Sequence, residues 1–110
     1  MQFSDYQKQS AKTLIKGNDE VLVLARMALG LAGESGEVAE KIKKVLRDSD
    51  GKISEEVRNE LCNELGDVLW YLARLADIAE VDLSKIAEIN LEKLESRQRR
   101  GKLGGSGDNR

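Results

Sequence analysis

No proline occurs anywhere in the 110 residues. Proline is the strongest single helix breaker, at about 3 kcal/mol in a helix interior, so only glycines and polar turns punctuate this chain. Strong helix formers dominate, and β-branched residues are scattered rather than clustered into strand-like runs. The reading is an all-α fold. The length suits one domain, and a 40% hydrophobic content supplies a core, although small domains bury a smaller share of their surface and often associate.

Capping signals divide the chain into four helices. Ser4, with Gln7 three residues on, forms a capping box for a first helix that runs to about Lys16, where Gly17-Asn18 ends it. Asp19 caps a long second helix to about Leu46. Its apolar positions Val21, Leu24, Ala28, Leu31, Val38, Ile42 and Val45 lie close to the 3.6 period. Arg47 to Gly51 reads as a polar turn. Ser54 caps a third helix, whose apolar face carries Leu61, Leu65, Val68, Leu69, Leu72 and Leu75. Asp82 or Ser84 starts a fourth, which reaches about Arg99 before Gly101. A helix of nearly thirty residues outreaches its neighbours in so thin a bundle. Its apolar stripe calls for a second chain, so the expectation is a four-helix bundle-type protomer in a dimer or tetramer.

Composition removes several function classes. There is no His, which excludes Ser-His and Cys-His catalysis and His-ligated zinc. The single Cys62 allows no intrachain disulfide and no four-cysteine metal site, and it reads as a small buried hydrophobe. The balance of 18 Lys plus Arg against 20 Asp plus Glu argues against duplex nucleic acid as a partner. No apolar run approaches the roughly 20 residues that span a bilayer. The opening MQFSDYQKQ has no basic segment followed by an apolar one, so a cytoplasmic location and no membrane partner are expected.

The acids are placed unusually. Glu34 and Glu37 lie three apart on the second helix within LGLAGESGEVAEKI, and Glu64 and Asp67 lie three apart on the third within LCNELGDVLWYLARLA. Residues at that spacing sit side by side on a helix. Glu60 precedes Glu64 by one turn. Four carboxylates converging near a bundle core repel one another, and they persist only if paired, protonated or bound to a cation. An all-oxygen ligand set favours Mg²⁺ or Mn²⁺ over zinc. The competing reading makes them solvated stripes paired with Lys41, Lys43 or Arg74. Gly30, Gly33 and Gly36 recur beside the first pair, and Gly66 lies within the second. Each interior glycine costs about 1 kcal/mol against alanine, which points to a close approach there, by a partner helix or a ligand. On the fourth helix Asn90, Lys93 and Arg97 share a face. Acids that hold a cation beside such donors form a layout suited to polyphosphate.

Taken together, GLAGESGEVAEKIKK and NELGDVLWYLARLADIAEVDLSKIAEINLEKLESRQRRGKL resemble the MazG-like all-α nucleoside triphosphate pyrophosphohydrolases over about residues 25 to 105. The signature E-x-x-E, spacer, E-x-x-D appears as Glu34-x-x-Glu37 and Glu64-x-x-Asp67 with 26 residues between. The resemblance implies Mg²⁺-dependent hydrolysis of nucleoside or deoxynucleoside triphosphates to monophosphate and pyrophosphate, commonly to clear unwanted nucleotides. It implies Glu34, Glu37, Glu64 and Asp67 as metal-binding and catalytic residues. Asn90, Lys93 and Arg97 would contact phosphates or sugar, and Tyr71, with Trp70 nearby, would face the nucleotide. It also implies a homodimer or homotetramer with sites where protomers meet. Some relatives carry two adjacent acids at the start of the first motif, one of them a general base. Gly33 stands at that place here, which leaves Glu34, Glu37 or Glu60 for the role. The alternatives are a phosphoribosyl-ATP pyrophosphohydrolase, which shares fold and acids, and a non-catalytic helical oligomerisation module.

The expected organisation is one domain over residues 1–103 and a flexible tail over 104–110. The segment from Gly101 onward holds four of the ten glycines and reads either as a disordered terminus or as a segment that orders over a bound anion through glycine amides and Arg110.

Overall fold

The two long helices begin where short polar side chains can satisfy their first free amides. Asp19 accepts from the amides of Val21 and Leu22 at 2.9 and 3.2 Å, and Ser54 accepts from Val57 at 3.2 Å. The computed structural model, which describes residues 1–110, has four helices and no strand: α1 (Phe3–Ala11), α2 (Glu20–Ser49), α3 (Glu55–Ile78) and α4 (Leu83–Arg99).

Three local expectations are corrected. The first helix is shorter than its pattern suggests and begins earlier. Gln2 stands at its N-cap and donates its amide to Asp5 at 3.1 Å, while Gln7 is buried between helices instead of completing a box with Ser4. The helix ends at Ala11 because the Ser10 carbonyl is drawn away from the α ladder. It accepts from the Thr13 amide and hydroxyl and from the Trp70 indole, and the amides of Lys12, Thr13 and Leu14 reach back only three residues. At its C-terminus α2 runs past the anticipated turn to Ser49. There Asp50 takes the left-handed conformation (φ 51°) and the Gly51 amide closes on the Val45 carbonyl at 3.2 Å.

α2 and α3 pair antiparallel. Lys41 meets Glu60 near the connecting turn, and Gly30 meets Tyr71 further along. α4 packs on α1 and α3 and does not touch α2. A polar staple ties these elements together. Arg74, 2% exposed, donates to the Gln7 carbonyl, the Ser10 hydroxyl and the Asp77 carboxylate. The Gln7 amide nitrogen donates to Asp77 at 2.6 Å and to the Val81 carbonyl, and its oxygen accepts from the Leu83 amide at 2.7 Å. One residue of α1 thereby fixes the end of α3 and the start of α4.

The apolar core is small: Met27, Val45, Ala73, Ala76 and Leu83. Cys62, expected in the core, is exposed. It belongs to a stripe, Cys62, Leu65, Leu69 and Leu72, with coiled-coil spacing. No helix of this chain covers that stripe, and Leu65 is 53% exposed.

The glycines of α2 divide sharply. A Cβ on Gly30 would run into the Tyr71 ring, whereas nothing lies within 4 Å of one on Gly33 or Gly36, nor on Gly66 of α3. Gly30 is the position where the sequence's suggestion of close approach is met, by a ring from the neighbouring helix. Gly30→Ala is expected to destabilise by about 1–3 kcal/mol, because overpacking outweighs the gain of about 1 kcal/mol in helix propensity. Gly33→Ala keeps that gain and stabilises. Urea unfolding of the two variants under dilute conditions checks the opposite signs.

Candidate active site: a carboxylate cluster between two helices

Gly30 and Glu34 are one turn apart on α2, and Asp67 and Tyr71 are one turn apart on α3. The contact of Tyr71 with bare backbone therefore sets the helix separation directly beside the acids. Glu34, Glu64 and Asp67 each bring a carboxylate oxygen within 4.8 Å of the others. Glu34 and Glu64 are half-buried and Asp67 is exposed. Glu37 lies outside this trio and is exposed, yet close enough for its charge to act on Glu34.

The cluster is electrostatically unbalanced. The Glu34 carboxyl is held above the usual carboxylate range, first by partial burial and then by the charges of Asp67 and Glu64, a proton shared with Glu64 and the charge of Glu37. The bases that could have neutralised these acids are committed elsewhere. Lys41 pairs with Glu60 at 3.1 Å, Lys43 with Glu40 at 3.0 Å, and Arg74 with Asp77. The Lys41 ammonium is pushed up by its bond to Glu60 and by that carboxylate's charge, with further contributions from Glu64 and Glu37, so it flanks the cluster without entering it.

Glu34 and Asp67 open into a cleft of about 290 Å³ with Thr13, Trp70 and Tyr71. The two aromatic rings stand edge to face, 4.9 Å between centroids at 86°. Trp70 is held by hydrogen bonds to the Thr13 hydroxyl at 2.8 Å and the Ser10 carbonyl at 3.2 Å. Thr13 was not singled out from the sequence, nor was Tyr6 of α1. Burial raises the Tyr6 hydroxyl pKa, while Arg74 and Asp67 act on it from opposite sides of the balance. Neither residue carries a motif, and only the docking of α1 brings them here.

The α4 residues stand apart. Asn90 and Lys93 are exposed, and Arg97 is 5% exposed, donating to the carbonyl of Asp108 at 2.8 Å. Because α4 does not touch α2, a single chain does not join the α2 acids to the α4 bases.

The donor set fits a hard divalent cation. It offers three carboxylates, no thiolate or imidazole, and a repulsion that a cation would relieve. Carboxylates that meet across two antiparallel helices are an arrangement that helical bundles use to bind metal. Residues 24–101 match the family described as the MazG nucleotide pyrophosphohydrolase domain. The chain is 52% identical over 92 residues to the Gene 37 protein of Mycobacterium phage L5, covering 84% of this chain and 81% of that one. No solved structure gives a significant match. The chain belongs to the MazG nucleotide pyrophosphohydrolase family. That membership supports a hydrolase acting on nucleotide pyrophosphate linkages, in a family that generally uses divalent metals.

A raised carboxyl pKa has a definite sign for stability. Folding strengthens proton binding at Glu34, so in the metal-free protein this group's contribution to stability grows as pH falls and is lost as pH rises through the Glu34 titration, opposite in sign to those of Glu40 and Asp48, whose carboxyls are held low. Glu34→Gln removes that cost. In EDTA at neutral pH its Tm is expected to exceed that of the parent, and the difference should shrink toward acid pH. Thermal denaturation across pH 4–8 measures both.

Proposed function

We propose that this chain hydrolyses nucleoside or deoxynucleoside triphosphates to monophosphate and pyrophosphate, with Mg²⁺ (or Mn²⁺) as the cation, and clears unwanted nucleotides from the cytoplasmic pool. The observation that carries this reading is the trio Glu34, Glu64 and Asp67 within 4.8 Å, of which Glu34 and Asp67 open on a cleft with an aromatic wall.

Glu34, Glu64 and Asp67 would hold the cation, with Glu37 one turn away to complete the set. When bound, it supplies charge neutralisation at the phosphates and a lowered pKa for a nearby water. The chain's own groups do the rest. Glu37 is exposed and free of any ion pair, whereas Glu60 is held by Lys41, which favours Glu37 as the group that takes the proton of the attacking water. Tyr71 and Trp70 offer ring edges and faces to the base. Asn90, Lys93 and Arg97 bind phosphate or sugar, and Lys93 and Arg97 stabilise charge on the departing pyrophosphate.

These α4 donors reach acids of a second copy, in a dimer or tetramer. Several observations support this association. Only nine of 110 residues are buried, and Leu22, Leu29 and Leu46 of α2 are 61%, 72% and 65% exposed. The radius of gyration is 16.8 Å, against about 13 Å for a compact domain of this size.

A panel of nucleotides with Mg²⁺, scored for pyrophosphate against orthophosphate, tests the reaction and separates it from phosphoribosyl-ATP hydrolysis and from a non-catalytic scaffold. Glu37→Gln or Asp67→Asn is expected to abolish pyrophosphate release with the helical circular dichroism intact, and normal turnover in both would overturn the assignment. Lys93→Ala is expected to raise KM. A monomer in sedimentation at micromolar concentration would refute the assembly. No helix is long and apolar enough to cross a membrane.

A further inference from the structure

Arg97 is a cation in an unusual position. It is 5% exposed, yet none of the salt bridges includes it. Its one hydrogen bond goes to the neutral carbonyl of Asp108, at 2.8 Å, and not to that residue's carboxylate. Burying an unpaired charge is costly. The α4 C-terminus supplies about half an elementary charge, and Arg99 and Arg100 of the same turn share it.

The segment that covers Arg97 is itself built on guanidinium groups. Arg110 donates to the carbonyls of Leu103, Gly104 and Gly107, at 3.3, 3.0 and 2.6 Å. Arg100 donates to the Arg110 carbonyl at 2.8 Å. Three arginines thus take five carbonyls of residues 103–110. Apart from the Arg110 amide, which closes the turn at Asp108 and Asn109, no backbone amide of that stretch donates to any group in the chain. Gly105 and Gly107 hold φ of 90° and 89°, where a side chain would be strained, so the tight fold depends on glycine at those places. A loop with its carbonyls drawn inward and most of its amides free, over a buried and unbalanced guanidinium, has the donors of an anion site.

We propose that residues 101–110 are a phosphate-binding strap, held in shape by Arg110, that closes a phosphate group of the substrate against Arg97 and Arg100. The proposal rests on the reading of the substrate as a nucleoside triphosphate. A phosphate carries the charge opposite to the guanidinium's and its oxygens accept two parallel N–H bonds from the fork, which a single neutral carbonyl cannot, so it displaces the Asp108 carbonyl. The freed peptide and the strap's glycine amides then turn toward the same anion. Arg110 is a positioning residue, because its fork is spent on the strap's own carbonyls.

Limited trypsin cleavage after Lys102, at the root of the strap, reads its order without any turnover. Inorganic tripolyphosphate in EDTA is expected to slow that cleavage in the parent protein and to leave it unchanged in Arg110→Ala and in Arg110→Lys, which keeps the charge but not the fork. No protection in the parent, or equal protection in the variants, overturns the strap. In steady-state assays Arg110→Ala should raise KM for the nucleotide about tenfold, the loss of one or two charge-assisted bonds, with kcat and the Mg²⁺-dependent Tm shift retained. An unchanged KM overturns the substrate role of the strap. If the parent hydrolyses no nucleotide while tripolyphosphate still protects it, the substrate reading fails and the anion site stands.

Discussion

The contact between the Tyr71 ring and the bare backbone at Gly30 governs this structure, because it sets how near α2 and α3 approach. With that separation fixed, Glu34 and Asp67, one turn along each helix, cannot avoid one another, and Glu64 joins them. The fold thereby spends stability to hold like charges together, and the raised Glu34 carboxyl is the sign of that expense. Such strain at a site is expected where a ligand relieves it. The neighbouring bases do not relieve it, since Lys41, Lys43 and Arg74 are engaged with Glu60, Glu40 and Asp77.

The second constraint is the staple of Gln7, Arg74 and Asp77. It is buried and polar, so its partners are specified by direction as well as by contact. It seats α1 across the end of α3, and so brings Thr13 under the Trp70 indole and encloses one side of the cleft. The same Gln7 receives the first amide of α4 and fixes where that helix departs. That bond, with the packing of α4 on α1 and α3, accompanies a course that does not meet α2.

That departure leaves much apolar surface bare. The Cys62, Leu65, Leu69 and Leu72 stripe of α3 and the outer leucines of α2 have the periodicity of packed faces without a packing partner in the chain. It also leaves the acids and the bases of the proposed site on helices that do not meet. A second copy answers both at once, which is why assembly and chemistry belong to the same proposal.

Several features were legible in the sequence because they depend on local spacing. The absence of proline and the 3.6 period gave four helices, and Asp19 and Ser54 cap where short polar side chains should. The two acid pairs announced themselves by lying inside apolar stretches, and membership of the family followed from the same residues. Other features were decided by tertiary structure, since they depend on which face meets which. Local pattern extended α1 to Lys16, but the Trp70 indole, sixty residues away, claims the Ser10 carbonyl and ends it at Ala11. Cys62 has the sequence context of a core residue, and it is exposed because no helix of this chain covers its stripe. Four glycines signalled close approach, and only at Gly30 does a ring occupy the space, because spacing along a helix says which residues share a face and not what lies opposite.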